Sequence, residues 1–346
     1  MTLKNLQDAA VEGKKILVRL DTDVSLSQTG KILDTTRLTA GRPTIDYLLS
    51  HSTTIILCGH VGRPKGSVVS SMSLLPVAKW YAENYELQIT NYKLDEFDGW
   101  KLADDFLILE NLRFYPGEEA NDASFSQQLA SLADIYVDDA FAVSHRKAAS
   151  NVGVTAYLSS YAGMQLQKEV TELSKILENP ARPLVIVIGG AKLETKLPLV
   201  SKMHQFADAL LVGGKLVQEK GTLETITKEP GRAVLHIASP NENGLDISSQ
   251  SVDEFISVIR DAKTVVWNGP VGKTSDEKDS VALGTKRIAE SIVSTKAYTV
   301  VGGGDTLEYL DRIHLLGKFS FVSTGGGAML SFLSGESLPA LVPLII

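Results

Sequence analysis

Leu184-Val-Ile-Val-Ile188 runs into Gly189-Gly190-Ala191-Lys192, and the same grammar recurs four more times in the second half of the chain. Ala209-Leu-Leu-Val212 meets Gly213-Gly214, and Thr264-Val-Val-Trp267 meets Asn268-Gly269-Pro270. Tyr298-Thr-Val-Val301 meets Gly302-Gly303-Gly304-Asp305-Thr306, and Phe319-Ser-Phe-Val322 meets Ser323-Thr324-Gly325-Gly326-Gly327. Short β-branched runs bounded by glycine read as buried strands. Glycine at a strand exit lets the backbone approach a ligand, and N–H groups there can hold phosphate. Five such exits in series predict a nucleotide-binding sheet edge.

In the first half the strand exits carry charge instead. Ile16-Leu-Val18 leads to Arg19 and Asp21, and Thr54-Ile-Ile-Leu57 leads to His60-Val61-Gly62-Arg63. Phe106-Leu-Ile-Leu109 leads to Glu110-Asn111-Leu112-Arg113, and Ile135-Tyr-Val137 leads through Asp138 to His145-Arg146. Such exits suit a small, highly charged anion. In open α/β sheets ligands lie beyond the carboxyl ends of the strands, so the two halves are expected to offer two different anion sites.

A chain of 346 residues exceeds the usual size of one core, which predicts two domains. Strand and helix signals alternate, as in parallel sheets covered by helices. Leu166, Val170, Leu173 and Leu177 fall at helical spacing before Pro180 and Pro183, predicting a connecting helix. The expected division is 1–162, a joining helix over 163–180, and 181–333, with the apolar tail 334–346 packed back on the first domain. The stretch Lys220–Ser251 reads as loop with at most one short strand, around Ala233–Ile237.

The net charge of -7 argues against general nucleic-acid binding. Cys58 is the only cysteine, which excludes an internal disulfide and reads as a buried small side chain. Met1–Gly13 has no apolar stretch, and no run approaches a membrane span. A cytoplasmic protein with no membrane partner is expected. Two motifs are decoys: Gly272-Lys273-Thr274 imitates the end of a P-loop, but Trp267 stands where its first glycine is required. Neither triple glycine completes a dinucleotide fingerprint, because Leu307 and Leu330 fill the last place.

Lys192 and Lys196, four apart after Gly-Gly, would share one face at a helix N-terminus, beside the positive end of the dipole. That suits a bound anion as well as a solvated lysine face. Asp305 can be an ordinary helix N-cap or a carboxylate holding Mg²⁺ beside a phosphate loop. His60, Arg63, His145 and Arg146, with Arg37 and Arg113, form a convergent pocket if their strands are neighbours, and an arginine fork suits carboxylate or phosphate.

These motifs resemble those of the phosphoglycerate kinase family, in order and over nearly the whole chain. They include Val18-Arg-Leu-Asp21, Arg37 with Pro43-Thr44-Ile45, Gly59-His-Val-Gly-Arg-Pro64 and Ser73-Leu-Leu-Pro76. Leu109-Glu-Asn-Leu-Arg-Phe114, Asp139-Ala-Phe141 and Ser144-His-Arg146 follow. The second half adds Gly189-Gly-Ala-Lys192 with Lys196, Trp267-Asn-Gly-Pro270, Gly302–Thr306 and Ser323–Ala328.

The resemblance implies two Rossmann-like three-layer α/β domains with mainly parallel sheets, joined by a helix and hinge. It implies a monomeric kinase moving phosphoryl between 1,3-bisphosphoglycerate and Mg-ADP to give 3-phosphoglycerate and Mg-ATP. Asp21, Asp23, Arg37, His60, Arg63, Arg113 and Arg146 would form the glycerate site. Gly190, Ala191, Lys196, Gly213, Asn268, Gly303, Gly304, Asp305 and Thr306 would bind nucleotide. Arg37, Lys192, Lys196 and Asp305 would serve the transfer, with Asp305 on Mg²⁺.

The departures are specific. The family's Asp-x-Asn is here Asp21-Thr22-Asp23, and its third glycine after Gly213-Gly214 is Lys215. A ribose-binding Glu after Val271-Gly272 is replaced within Lys273-Thr274-Ser275, and the chain runs short between Gly221 and Gly244. These changes leave a second reading, a catalytically weak relative kept as a ligand-binding or regulatory protein.

Overall fold

The computed structural model describes the chain except Gln28, residues 192–195, Glu229 and residues 275–281, and only the backbone of Lys220 and Thr227. The described residues form two compact units, Met1–Thr171 with Ser337–Ile346, and Glu172–Glu336.

The first unit is built on β1 (Lys15–Leu20), β2 (Thr54–Cys58), β3 (Thr90–Leu94), β4 (Phe97–Ala103), β5 (Phe106–Leu109), β6 (Ile135–Asp139) and β7 (Ser159–Ala162). They lie in the order β3-β4-β5-β2-β1-β6-β7. The run β5-β2-β1-β6-β7 is parallel, and β3 and β4 close one edge antiparallel. Helices α1 (Thr36–Leu49), α2 (Leu75–Asn84), α3 (Pro116–Glu119) and α4 (Ala123–Ala130) fill the crossovers.

Alternate residues of the central strands enter different cores, as the two-residue repeat of a strand requires. Ile16, Val18, Leu20, Ile55 and Leu57 join one cluster, with Leu38 and Ile45 of α1. Leu17, Ile56 and Cys58 join another, with Phe125 and Leu129 of α4. Burial on both faces is why these strands read as continuous apolar runs. Burial pushes the Cys58 thiol up to about 12, so it acts as a small apolar side chain.

Helix α5 (Met164–Glu178) carries the chain from the first unit into the second. Its buried stripe is Leu166, Val170, Leu173 and Ile176, the last one residue before the expected Leu177. The second sheet contains β8 (Leu184–Ile188), β9 (Ala209–Val212), β10 (Val234–Ile237), β11 (Thr264–Asn268), β12 (Tyr298–Gly302) and β13 (Phe321–Ser323). Its order is β10-β9-β8-β11-β12-β13, all parallel.

Helices α6 (Leu197–Phe206), α7 (Lys220–Lys228), α8 (Ser249–Arg260), α9 (Leu283–Ser294), α10 (Gly304–Arg312) and α11 (Gly327–Leu333) complete this unit. The strand order reverses between β8 and β11, which opens the crevice typical of such sheets. One expectation fails in part: within Lys220–Ser251 the short strand expected around Ala233–Ile237 is β10, but α7 occupies Lys220–Lys228 where loop is expected. The apolar tail runs along the first unit, where Lys4 N–H donates to Leu344 O (2.8 Å) and Leu338, Leu341 and Leu344 are buried.

Candidate active site

Adjacent parallel strands β5, β2, β1 and β6 deliver their exits to one edge of the first sheet. Arg113 follows β5, His60 and Arg63 follow β2, Asp21 and Asp23 follow β1, and Arg146 follows β6. The exits are stapled by polar side chains. Asn111 Nδ2 donates to Val61 O and to Met72 O (both 2.7 Å), and its Oδ1 accepts from Arg113 N–H (3.0 Å). Arg113 Nη1 donates to Gly62 O (2.7 Å), so this arginine shapes the β2 loop. The Thr22 hydroxyl exchanges hydrogen bonds with the backbone of His60 (2.8 and 2.9 Å). Gly59 is required there, because a Cβ would collide with Thr22.

Arg37 reaches into this edge from the first turn of α1. Its Nε lies 3.3 Å from Asp21 Oδ2 and its Nη1 donates to Asp23 O (2.7 Å). Asp21 lies above the ordinary carboxylate range because burial outweighs the attraction of Arg37, and Asp23 adds to the rise. The Asp21 charge in turn holds Arg37 firmly protonated. Asp23 is more open. Its Oδ1 accepts from Gly62 N–H (2.9 Å), and its Oδ2 lies 3.7 Å from His60 Nε2 and 4.0 Å from Arg37 Nη1.

His60 brings no charge to this edge. Burial first, then Arg19, Arg113, Arg146 and Arg37, push its pKa well below the usual histidine range. It is a neutral donor among cations rather than one of them. Arg63, exposed on the same loop, makes no hydrogen bond or ion pair among the described residues. Sequence reasoning misses three buried residues: Arg19, which lies against His60, Ser150, which is bonded to Arg19, and Glu118, which is bonded to Ser150. The available signal for Arg19 is a charged residue within the buried run Ile16–Leu20 of β1, whose other members are all apolar.

The glycine exits of β8, β9 and β11 meet one another in the second unit. Gly190 N–H donates to Pro270 O (2.7 Å), Gly214 N–H to Val271 O (2.9 Å), and Gly213 N–H to Ile188 O (2.9 Å). A Cβ on Gly189 would strike the carbonyl of Pro270, so this glycine serves the approach of two turns as much as that of a ligand. Lys196 is 6% exposed and stands at the cap position of α6. Its Nζ donates to Asn268 Oδ1 (2.8 Å) and to Asn268 O (3.1 Å). The helix therefore begins at Leu197, later than the Gly-Gly turn suggests. Lys192 lies outside the described residues, as does Ser275.

Gly303, at φ 100°, occupies the cap position of α10. Asp305 is thus inside the first turn, exposed, and does not occupy the cap position. Thr306 is buried, and its Oγ1 accepts from Gly269 N–H (3.1 Å), tying the β12 exit to the β11 exit. A cavity of about 740 Å³ opens over these turns. It is lined by Gly190, Ala191, Gly214, Asp305 and also by Lys215, Lys273 and Arg312. Among the described residues no group of three or more His, Cys, Asp and Glu side chains is arranged to hold a metal.

Residues 6–219 and 221–336 match the sequence model of phosphoglycerate kinase. The chain belongs to the phosphoglycerate kinase family. Curated phosphoglycerate kinases align with it end to end. That of Acaryochloris marina is 39% identical, covering 99% of this chain and 98% of its own. That of Coprothermobacter proteolyticus is 36% identical, with full coverage of both. The crystal structure of phosphoglycerate kinase from Pyrococcus horikoshii superposes with a TM-score of 0.80 at 25% identity. The structure from Coxiella burnetii gives 0.80 at 29%, and each covers 99% of this chain and 98% of the other. The chain is accordingly a kinase of glycolysis acting on small-molecule substrates. The two sequence alignments extend over 398 and 393 positions, more than the 346 residues here, so the relatives carry segments that this chain lacks. The family match is interrupted at Lys220, at the head of the region that reads short.

Proposed function

We propose that the charged edge of the first unit takes 3-phosphoglycerate or 1,3-bisphosphoglycerate, and that the glycine edge of the second takes ATP or ADP. The observation that carries this reading is the convergence of Arg37, His60, Arg113 and Arg146 from three strand exits and α1 on one pocket. A carboxylate and a phosphate at the two ends of a three-carbon ligand suit several arginine forks around a neutral donor. Asp21 orients Arg37, which also steadies the phosphoryl group in flight. Lys196 and the N–H groups at Gly303, Gly304 and Thr306 hold nucleotide phosphates, and Lys192 meets the transferred group. Gly190, Ala191, Gly213 and Asn268 shape that wall, and Asp23 and Arg63 border the glycerate pocket.

An exposed carboxylate in the first turn of a helix that opens on a glycine turn suits Mg²⁺, which keeps most of its waters and needs few protein ligands. Asp305 would hold it. When bound, the ion neutralises charge on the nucleotide phosphates. The protein's own part is to position both substrates, supply positive charge where it accumulates, and exclude water, with no covalent intermediate. Transfer requires the two units to come together, with α5 as the link. We take the protein to act as a cytoplasmic monomer. A coupled assay with Mg-ATP and 3-phosphoglycerate tests the reading. Turnover that disappears on omitting either substrate supports it, and folded protein that binds both ligands without turnover overturns it.

A further inference from the structure

The ring of His60 is held from behind by a buried chain of hydrogen bonds. Its Nδ1 lies 2.8 Å from Arg19 Nη2. A guanidinium only donates, so Nδ1 is the acceptor and the ring proton sits on Nε2. Nε2–H then lies on the side of Asp23, 3.7 Å from its Oδ2, and the Asp23 side chain is 40% exposed where that of His60 is 2%. Arg19 is 2% exposed and comes from the penultimate position of β1, paired in register with Cys58 of β2 and Asp138 of β6. Its other two nitrogens are engaged as well. Nε donates to Ser150 Oγ (2.9 Å), and Nη1 donates to the Leu20 carbonyl. Ser150 is fixed in turn, with Oγ donating to Glu118 Oε1 (2.6 Å) and N–H to Glu118 Oε2 (2.9 Å).

We propose that Arg19 is a positioning residue, anchored by Ser150 and Glu118, that keeps His60 a neutral ring with Nε2–H directed into the anion pocket. The assignment of the ligand as the glycerate substrate rests on the function proposed above; the orientation of the ring does not. Arginine suits the task because it cannot give up its proton or accept one from the ring. The charges facing His60 come from every side: Arg19 from β1, Arg113 after β5, Arg146 after β6, Arg37 from α1, and the carboxylate of Asp23. Asp21 and Glu119 are held by Arg37 and Arg113 in turn. Burial first, and then the four arginines, oppose protonation of the ring. The pocket thus gains a donor whose strength does not change across the neutral pH range, while its charge comes from arginines alone.

The test is a long-range proton–nitrogen spectrum of the whole protein labelled with ¹⁵N-histidine, with the other five histidines as references. His60 should show an unprotonated Nδ1 and a protonated Nε2 at pH 7, and keep that pattern well below the usual histidine titration. A Nδ1–H tautomer or an imidazolium at pH 7 overturns the proposal, and this measurement needs no variant. Arg19→Met should make His60 take up a proton at higher pH than in the parent; an unchanged titration in folded Arg19→Met overturns the role of Arg19. Ser150→Ala, which loosens the anchor, should raise KM for 3-phosphoglycerate about fivefold, the loss of one modest hydrogen bond, with kcat within about twofold. An equal fall in kcat with KM unchanged contradicts positioning through binding. If 3-phosphoglycerate proves not to be the ligand while the tautomer is as stated, the functional reading fails and the ring assignment stands.

Discussion

Replacing Asp23 by Asn removes a negative charge from a pocket meant for a dianionic or trianionic ligand. The resemblance implies Asn at this position, so the change restores the implied residue. The structure lets the terms be weighed separately. Asn Oδ1 can keep accepting from Gly62 N–H, the 2.9 Å bond that shapes the β2 loop, at a cost of a few tenths of a kcal/mol for the lost charge assistance. The contact with Arg37 Nη1 is 4.0 Å long with an Asp23 side chain 40% exposed, so it contributes about 0–1 kcal/mol. Asp21 gains from the change. Burial is the main cause of its raised pKa, but Asp23 adds to it, so removing that charge strengthens the Asp21–Arg37 pair.

Against these small terms stands repulsion between Asp23 and the ligand. At a separation of ~6 Å and an effective dielectric constant of ~40–80 it amounts to ~1 kcal/mol. We therefore expect Asp23→Asn to tighten 3-phosphoglycerate about fivefold. The melting temperature should move little. Isothermal titration at low ionic strength and again near ~1 M salt, where the screening length falls to ~3 Å, should show the gain shrinking. Weaker binding at both salt levels would refute the reasoning. So would a loss of stability above ~2 kcal/mol, which is more than an exposed ion pair provides. Either result would make Asp23 part of the scaffold that holds Arg37 and the β2 loop.

Arg37→Ala should lower kcat by about 100-fold or more while raising KM for 3-phosphoglycerate only a few-fold, because its charge acts on the moving phosphoryl group; steady-state kinetics with normal kcat would leave it a binding cation only. Asp305→Asn should reduce turnover at least about tenfold at every Mg²⁺ concentration while thermal melting stays within about 2 °C, since Gly303 and not Asp305 occupies the cap position. Parent-like turnover would end its proposed metal role. Burial pushes both Asp138 and Asp139 up to about 7, so the folded state keeps protons that the unfolded chain has released above about 4. Stability attributable to this pair should therefore fall as pH rises from about 4 to about 7 and level off above it. Urea midpoints across that range should show a shallower fall for Asp138→Asn, and a parallel curve would remove Asp138 from the effect. Lys215, Lys273 and Arg312 line the cavity and shift binding toward phosphates, so ATP and GTP should differ by no more than about tenfold in kcat/KM, or ~1.4 kcal/mol. A strong preference for ATP would show that the base is gripped after all.

What the sequence made legible follows burial. Strands β8, β9, β11 and β12 are apolar on both faces and end in glycine, so pattern alone locates them to within a residue. The hairpin of β3 and β4 escaped because β3 is almost wholly exposed, with Thr90, Asn91, Tyr92 and Lys93 facing water. Its alternation carries no apolar signal. Helix α7 escaped because Lys220–Lys228 combines a glycine and three threonines with few apolar residues. The cation pocket was legible as a set of strand exits. Its internal wiring was not: Arg19 and His60 are 41 residues apart, and Arg19 and Ser150 are 131 apart. Only the sheet order brings them together.

The chain crosses between the units twice, near Thr171 and near Glu336, and that asymmetry has a consequence for assembly. Residues 172–336 form one uninterrupted segment, complete in itself as soon as it has been synthesised. The first unit is split. Its sheet precedes that segment, but Ser337–Ile346, with Ala340 N–H on Ser144 O and Ile346 N–H on Thr2 O, arrives last. During synthesis the second unit can close its core while the first still lacks the strap across its termini. Expressed alone, 172–336 should fold, whereas 1–171 would leave the surface beneath Leu338, Leu341 and Leu344 bare to solvent. The pocket that forms earliest in sequence would be the one finished latest in time.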